Sequence, residues 1–138
     1  MKERQEKTVP MSSPEINEED RQAVMEVLDT RYLSMGPKIE QFEQNIQTLT
    51  GSKFAIAVNS GTAGLHLCVR AAGVEQGDIV ITTPFSFISS TNVILFEKAI
   101  PVFVDVDPLT GNMDPEQLEQ VISDIRQGGA AAVKWLPR

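Results

Sequence analysis

Apolar residues recur along this chain in two rhythms, one with a spacing of three or four and one of short unbroken runs. After about ten polar residues, Val24, Val27 and Leu28 mark one helical face. Asn17 ahead of Glu18, Glu19 and Asp20 supplies the cap, with acids in the first turn. Ile39, Phe42, Ile46 and Leu49 repeat that spacing between Pro37, suited to a first helical position, and Gly51, suited to a stop. The run Phe54 to Val58 predicts a short buried strand. It enters the small-residue turn Asn59-Ser60-Gly61-Thr62, which opens a helix through Val69 to Ala72, stopped by Gly73. Ile79 to Thr82 predicts a strand, Ser89 to Lys98 a helix, and Pro101 to Val106 another strand. After the turn Asp107 to Gly111, Asp114-Pro115-Glu116 starts a helix with Leu118, Val121, Ile122 and Ile125 on one face.

Strands and helices alternating at these lengths predict an α/β fold, a mostly parallel sheet covered by helices. Gly128-Gly129 then leads into a new apolar run, where an element begins, so the chain is expected to be a fragment. Residues 1–11 are expected to be a flexible N-terminal segment, and residues 12–138 the start of an incomplete larger domain.

Composition narrows the function classes. At 138 residues, with 41% hydrophobic and 22% charged positions, the chain suits one soluble domain with a modest core. A net charge of −7 argues against a nucleic-acid partner, since no basic surplus displaces counterions from phosphates. No run approaches the roughly 20 apolar residues of a membrane span, and the polar start is no signal peptide. The single cysteine, Cys68, excludes an internal disulfide and fits a reducing compartment, so a cytoplasmic location is expected. Between Leu67 and Val69, Cys68 is expected to be buried.

The candidate chemistry lies in Asn59 to His66. The first amides of a helix lack intrahelical acceptors, and the helix dipole adds partial positive charge there. Gly61 admits a ligand close to the backbone, and Ser60 and Thr62 add hydroxyls, so this turn suits a phosphate group. An ordinary Ser or Thr cap explains the same residues and stays open. Asp105 and Asp107 point the same way at a strand end, but no third ligand stands near them, and they read as caps of the next turn. His66, the only histidine, reads as packed or partly exposed. No dinucleotide or Walker pattern occurs, nor a nucleophile elbow.

Four stretches in order, Tyr32 to Lys38 with Phe42-Glu43, Asn59 to His66, Asp78 to Asn92, and Pro101 to Asp107, carry a family likeness. From about Ser12 to about Ile125 the chain closely resembles the N-terminal part of the DegT/DnrJ/EryC1/StrS sugar aminotransferases, which use pyridoxal phosphate. The resemblance implies part of the large, cofactor-binding domain of the aspartate-aminotransferase-like (fold type I) fold. It also implies that Ser60, Gly61 and Thr62, with Ala63 behind them, hold the cofactor's 5′-phosphate. Phe87, counted back from Ser89 to Asn92, would stack on the pyridine ring, while Phe85 reads as core. Met35 stands where the family has a threonine and brings no hydroxyl, and Gly36-Pro37 reads as a helix start.

In the family, the Schiff-base lysine and the carboxylate that keeps the pyridine nitrogen protonated both lie C-terminal to the matched region. Lys98 and Lys134 lack the required context, so no catalytic residue is expected here and the chain alone should be inactive. The whole protein is expected to be a homodimer moving an amino group from an amino acid, with glutamate the expected donor, to a nucleotide-linked keto sugar. A pyridoxamine-phosphate-dependent nucleotide-sugar dehydratase, with histidine at the lysine's position, is the alternative, and a non-catalytic binding module is another. The resemblance also implies a seven-stranded sheet in which Phe54 to Val58 does not neighbour Ile79 to Thr82. Without the intervening strands, the fragment is expected to self-associate.

Overall fold

The computed structural model describes residues 9–136. Residues 1–8 of the expected flexible segment lie outside that range. Two compact units divide the chain, one up to Ala57 and one from Val58 onward.

The first unit holds α1 (Glu18–Leu28) and α2 (Pro37–Thr50). Asn17 and Asp20 form a reciprocal cap on α1. The Asp20 amide donates to Asn17 Oδ1 at 3.0 Å, and the Asn17 amide donates to Asp20 Oδ2 at 2.9 Å. Pro37 opens α2 and Gly51, with φ of 70°, closes it. Gly36 permits the tight entry, because a Cβ there would stand 2.9 Å from Tyr32 Cβ. Neither helix buries a residue. The apolar stripes predicted from spacing exist, and Val24, Leu28, Phe42 and Leu49 on them face outward.

The second unit holds α3 (Gly61–Ala71), β1 (Ile79–Thr82), α4 (Ser89–Phe96), β2 (Ile100–Phe103), α5 (Pro115–Gln127) and α6 (Ala130–Trp135). β1 and β2 pair in parallel, Ile79 opposite Ile100 and Thr82 opposite Phe103, and α4 makes the crossover. The Ile100 amide donates to Asp78 O at 2.7 Å and the Val104 amide to Thr82 O at 3.0 Å, so the even-numbered amides of β2 face β1. Pro101, which has no amide hydrogen, falls on the other side and costs the ladder nothing. Val93, Ile94, Ala99, Val102 and Val104 are buried, and Val69, Val74 and Val80 pack against the cluster of Val93, Ile94 and Ala99. α6 begins after Gly128-Gly129 as expected, and Trp135 meets Phe103 edge to face at 5.5 Å.

Three expected elements differ. The run Phe54 to Val58 forms no strand, and Ile56 is 78% exposed. Among the described residues no strand lies beside it, and an apolar run does not make a strand without a ladder partner. The second strand ends at Phe103 instead of Val106, because β1 stops at Thr82 ahead of the turn at Pro84 and leaves nothing to pair with. Val106 forms an antiparallel bridge with Met113 instead. The helix from Ser89 ends at Phe96 instead of Lys98, which takes a φ of 56°.

Candidate functional site

The predicted phosphate turn is the N-terminus of α3. Ser60 is its cap, extended at φ −163°, and Ser60 Oγ accepts from the Ala63 amide at 3.1 Å. The Ser60 carbonyl accepts from the Gly64 amide at 3.1 Å. The amides of Gly61 and Thr62 have no acceptor among the described residues, which is the ordinary state of a first helical turn. The Ser60 hydroxyl itself donates a long hydrogen bond to Asn59 Oδ1 at 3.5 Å. No acidic residue stands in this first turn. A Cβ built on Gly61 would have no heavy atom within 4 Å, so the backbone is open to an approaching ligand. The Ala63 amide is taken up by the Ser60 cap.

The second predicted stretch leaves the carboxyl end of β1. The Phe85 amide donates to Thr83 Oγ1 at 3.0 Å, and the Ser86 amide donates to Pro84 O at 3.0 Å. Ser90 then holds the carbonyl of Phe87 twice, by its amide at 3.1 Å and its hydroxyl at 3.0 Å. The backbone of Phe87 is therefore fixed at the start of α4 while its ring stays 75% exposed. Phe85 is exposed to the same extent, which corrects its expected place in the core. The loop leaves β1 into solvent and never crosses the buried cluster. A ligand site outside the carboxyl ends of parallel strands is the usual arrangement in α/β sheets.

Other sequence expectations resolve locally. Cys68 is exposed, not buried, because α3 packs through Val69 while the neighbouring apolar positions Leu65, Leu67 and Cys68 face outward. Asp107 Oδ1 accepts from the amides of Leu109 and Thr110, each at 2.8 Å. The Thr110 amide bond, followed by that of Leu109, holds its carboxyl below the usual range. Asp105 Oδ1 accepts from the Val106 amide at 2.8 Å, so both acids serve the turn. His66 is half-buried, and its Nε2 meets Glu97 Oε1. Sequence reasoning missed Glu97, because a partner 31 residues away has no local signature.

Against this geometry, the pattern of the DegT/DnrJ/EryC1/StrS aminotransferase family matches residues 14–133. The chain belongs to this family. DegT-family relatives include the spore coat polysaccharide biosynthesis protein SpsC of Bacillus subtilis, 45% identical over 115 residues, covering 83% of this chain and 30% of SpsC. Spr1654 of Streptococcus pneumoniae, assigned as a sugar aminotransferase and solved in its PLP form, superposes with a TM-score of 0.77 at 34% identity. That match covers 81% of this chain and 29% of Spr1654. GDP-4-keto-6-deoxy-D-mannose-3-dehydratase of E. coli, with bound hydrated PLP, superposes at 0.75 with 27% identity, over 82% of this chain and 31% of the dehydratase. Spr1654 is also solved in a PMP form. The cofactor of the DegT family is pyridoxal phosphate, and its fold is the α/β arrangement of these neighbours. The chain spans about 30% of the length of these relatives. Among the described residues no helix is long and apolar enough to cross a membrane.

Proposed function

We propose that the chain is the N-terminal portion, residues 12–138, of the cofactor-binding domain of a pyridoxal-phosphate-dependent sugar aminotransferase. The observation that carries this is the open, acid-free first turn of α3, where Gly61 and Thr62 offer unpartnered amides beside the hydroxyls of Ser60 and Thr62. These groups fit a phosphate dianion. Ser60, Gly61 and Thr62 bind the phosphate with Ala63 behind them, and Phe87 orients the ring by stacking, worth about 0.5–1.5 kcal/mol beyond burial. The bound cofactor supplies an electron sink that the side chains lack.

The same proposal places the lysine that anchors the cofactor, and the carboxylate at its ring nitrogen, in sequence beyond residue 138. The chain by itself is then inactive. The whole protein takes its amino group from an amino acid, glutamate by preference, and delivers it to a nucleotide-linked keto sugar as a cytoplasmic homodimer. The dehydratase among the structural neighbours keeps a second reading in play, a nucleotide-sugar dehydratase with histidine in place of that lysine.

Mixing the purified full-length protein with glutamate tests the assignment. The expected result is conversion of the bound cofactor from its pyridoxal to its pyridoxamine phosphate form, with 2-oxoglutarate released, and restoration by a nucleotide-linked keto sugar with the amino sugar as product. Loss of the sugar's hydroxyl without amino transfer would establish the dehydratase instead. A protein that takes up no cofactor would overturn both.

A further inference from the structure

We infer that His66 and Glu97 form a positioning pair, which sets the first turn of α3 against the loop that carries Phe87. The inference rests on the cofactor site proposed above.

Thr62, His66 and Arg70 stand four residues apart on α3, so they share one face of the helix. Thr62 belongs to the phosphate turn, and at about 1.5 Å of rise per residue His66 lies only about 6 Å along the axis from it. Glu97 caps the C-terminus of α4, the helix that the Phe87 loop opens. Glu97 Oε1 accepts from His66 Nε2 at 2.5 Å and lies 3.7 Å from Arg70 Nε. A carboxylate only accepts, so Nε2 carries the proton. The imidazole also packs edge-on against Phe96, at 5.3 Å between ring centroids.

The His66 and Glu97 side chains are 30% and 18% exposed, so solvent screens this pair less than the exposed pair Arg21–Glu18. Among the described residues it is the one side-chain hydrogen bond that joins α3 to α4. Beside the apolar packing of Val69 on Val93 and Ile94, the polar tie between α3 and the helix that follows the Phe87 loop is thus a single carboxylate. Ligand-binding groups must be held to within about 0.5 Å, and a contact that fixes the axial position of α3 acts directly on that tolerance.

The test uses the full-length protein with pyridoxal phosphate as the probe. Cofactor affinity is read from absorbance, the seating of the ring from visible circular dichroism, and stability from thermal unfolding. His66→Leu removes the donor and should raise the cofactor dissociation constant about tenfold and weaken the dichroism, the loss of a charge-assisted hydrogen bond. His66→Gln restores an N–H donor and should bring both back to near wild type. If His66→Leu yields no folded protein, Glu97→Gln reads the same effect at about threefold. A lower melting temperature with unchanged affinity and dichroism in the folded variant would overturn the inference and leave the pair purely structural. Gly61→Val separates the two proposals. If Gly61→Val binds cofactor normally, the site itself is misplaced; if it loses cofactor while His66→Leu does not, only the positioning role falls.

Discussion

Ser60 carries two roles that can be separated. Its Oγ caps α3 by accepting from the Ala63 amide, and its hydroxyl donates only a long bond to Asn59 Oδ1 at 3.5 Å, which a phosphate oxygen can replace. Ser60→Ala should destabilise the second unit by about 1 kcal/mol, measured by denaturant unfolding, as for other lost caps. Phe85 and Phe87 were separable in sequence only by register with Ser89 to Asn92. In the structure the two rings are equally exposed, and the backbone of Phe87 alone is held by Ser90. Phe87→Leu should therefore alter the dichroism of bound cofactor and lower turnover, while Phe85→Leu should leave both unchanged and shift stability by less than about 0.5 kcal/mol. A loss of turnover confined to Phe85→Leu would reverse the assignment. Asp114, the cap of α5, has its carboxyl held below the ordinary value of 3.8, first by the Gln117 amide and then by the Gln117 side chain and the Glu116 amide. A depressed folded-state value stabilises above the unfolded value, and that contribution fades as pH falls through the folded one. The stability advantage of wild type over Asp114→Ala should accordingly be constant above about pH 5 and shrink below the unfolded value near 4. An advantage independent of pH between 5 and 2 would count against it.

Helix boundaries were legible because their determinants are local. Asn17 with Asp20, Pro37, Gly51 and Asp114-Pro115 all act within a turn of their own positions, and each helix starts or stops where they stand. Strand extents were less legible, because a strand is defined by its partner. Val104 to Val106 has the right residues but outruns β1, and Phe54 to Val58 has no partner among the described residues. The burial of Cys68 failed for a related reason: α3 is apolar nearly all round, so composition could not say which face would pack. Glu97 shows the same limit for the candidate site: the proposed phosphate turn rests on eight consecutive residues, while the tie of its helix to Glu97 has no local signature. At this scale the tight entry to α2 makes a further prediction. Gly36→Ala would bring a Cβ to 2.9 Å from Tyr32 Cβ. It should destabilise the first unit by about 1–3 kcal/mol in denaturant unfolding, as overpacking does. An unchanged midpoint would show that the loop shifts freely.

Across the whole chain, large apolar side chains remain exposed on α1, α2 and the Phe54 to Val58 segment, and the chain spans about 30% of its relatives. Such surfaces favour association. The isolated 138-residue chain should therefore elute as an oligomer in size-exclusion chromatography with light scattering, and a stable monomer would show that these faces need no cover. In the full-length protein, the amides of Phe54 to Val58 should be protected from hydrogen exchange by a neighbouring strand, and exchange at the unprotected rate would remove that strand from the account. The claim on which everything else depends is that the first turn of α3 holds the phosphate of pyridoxal phosphate. Its most direct test is a cofactor titration of full-length Gly61→Val beside wild type, followed by the absorbance of the bound form. A valine side chain would fill the open approach at Gly61, so the dissociation constant should rise at least about tenfold with the fold retained. Unchanged affinity and an unchanged bound spectrum would contradict it.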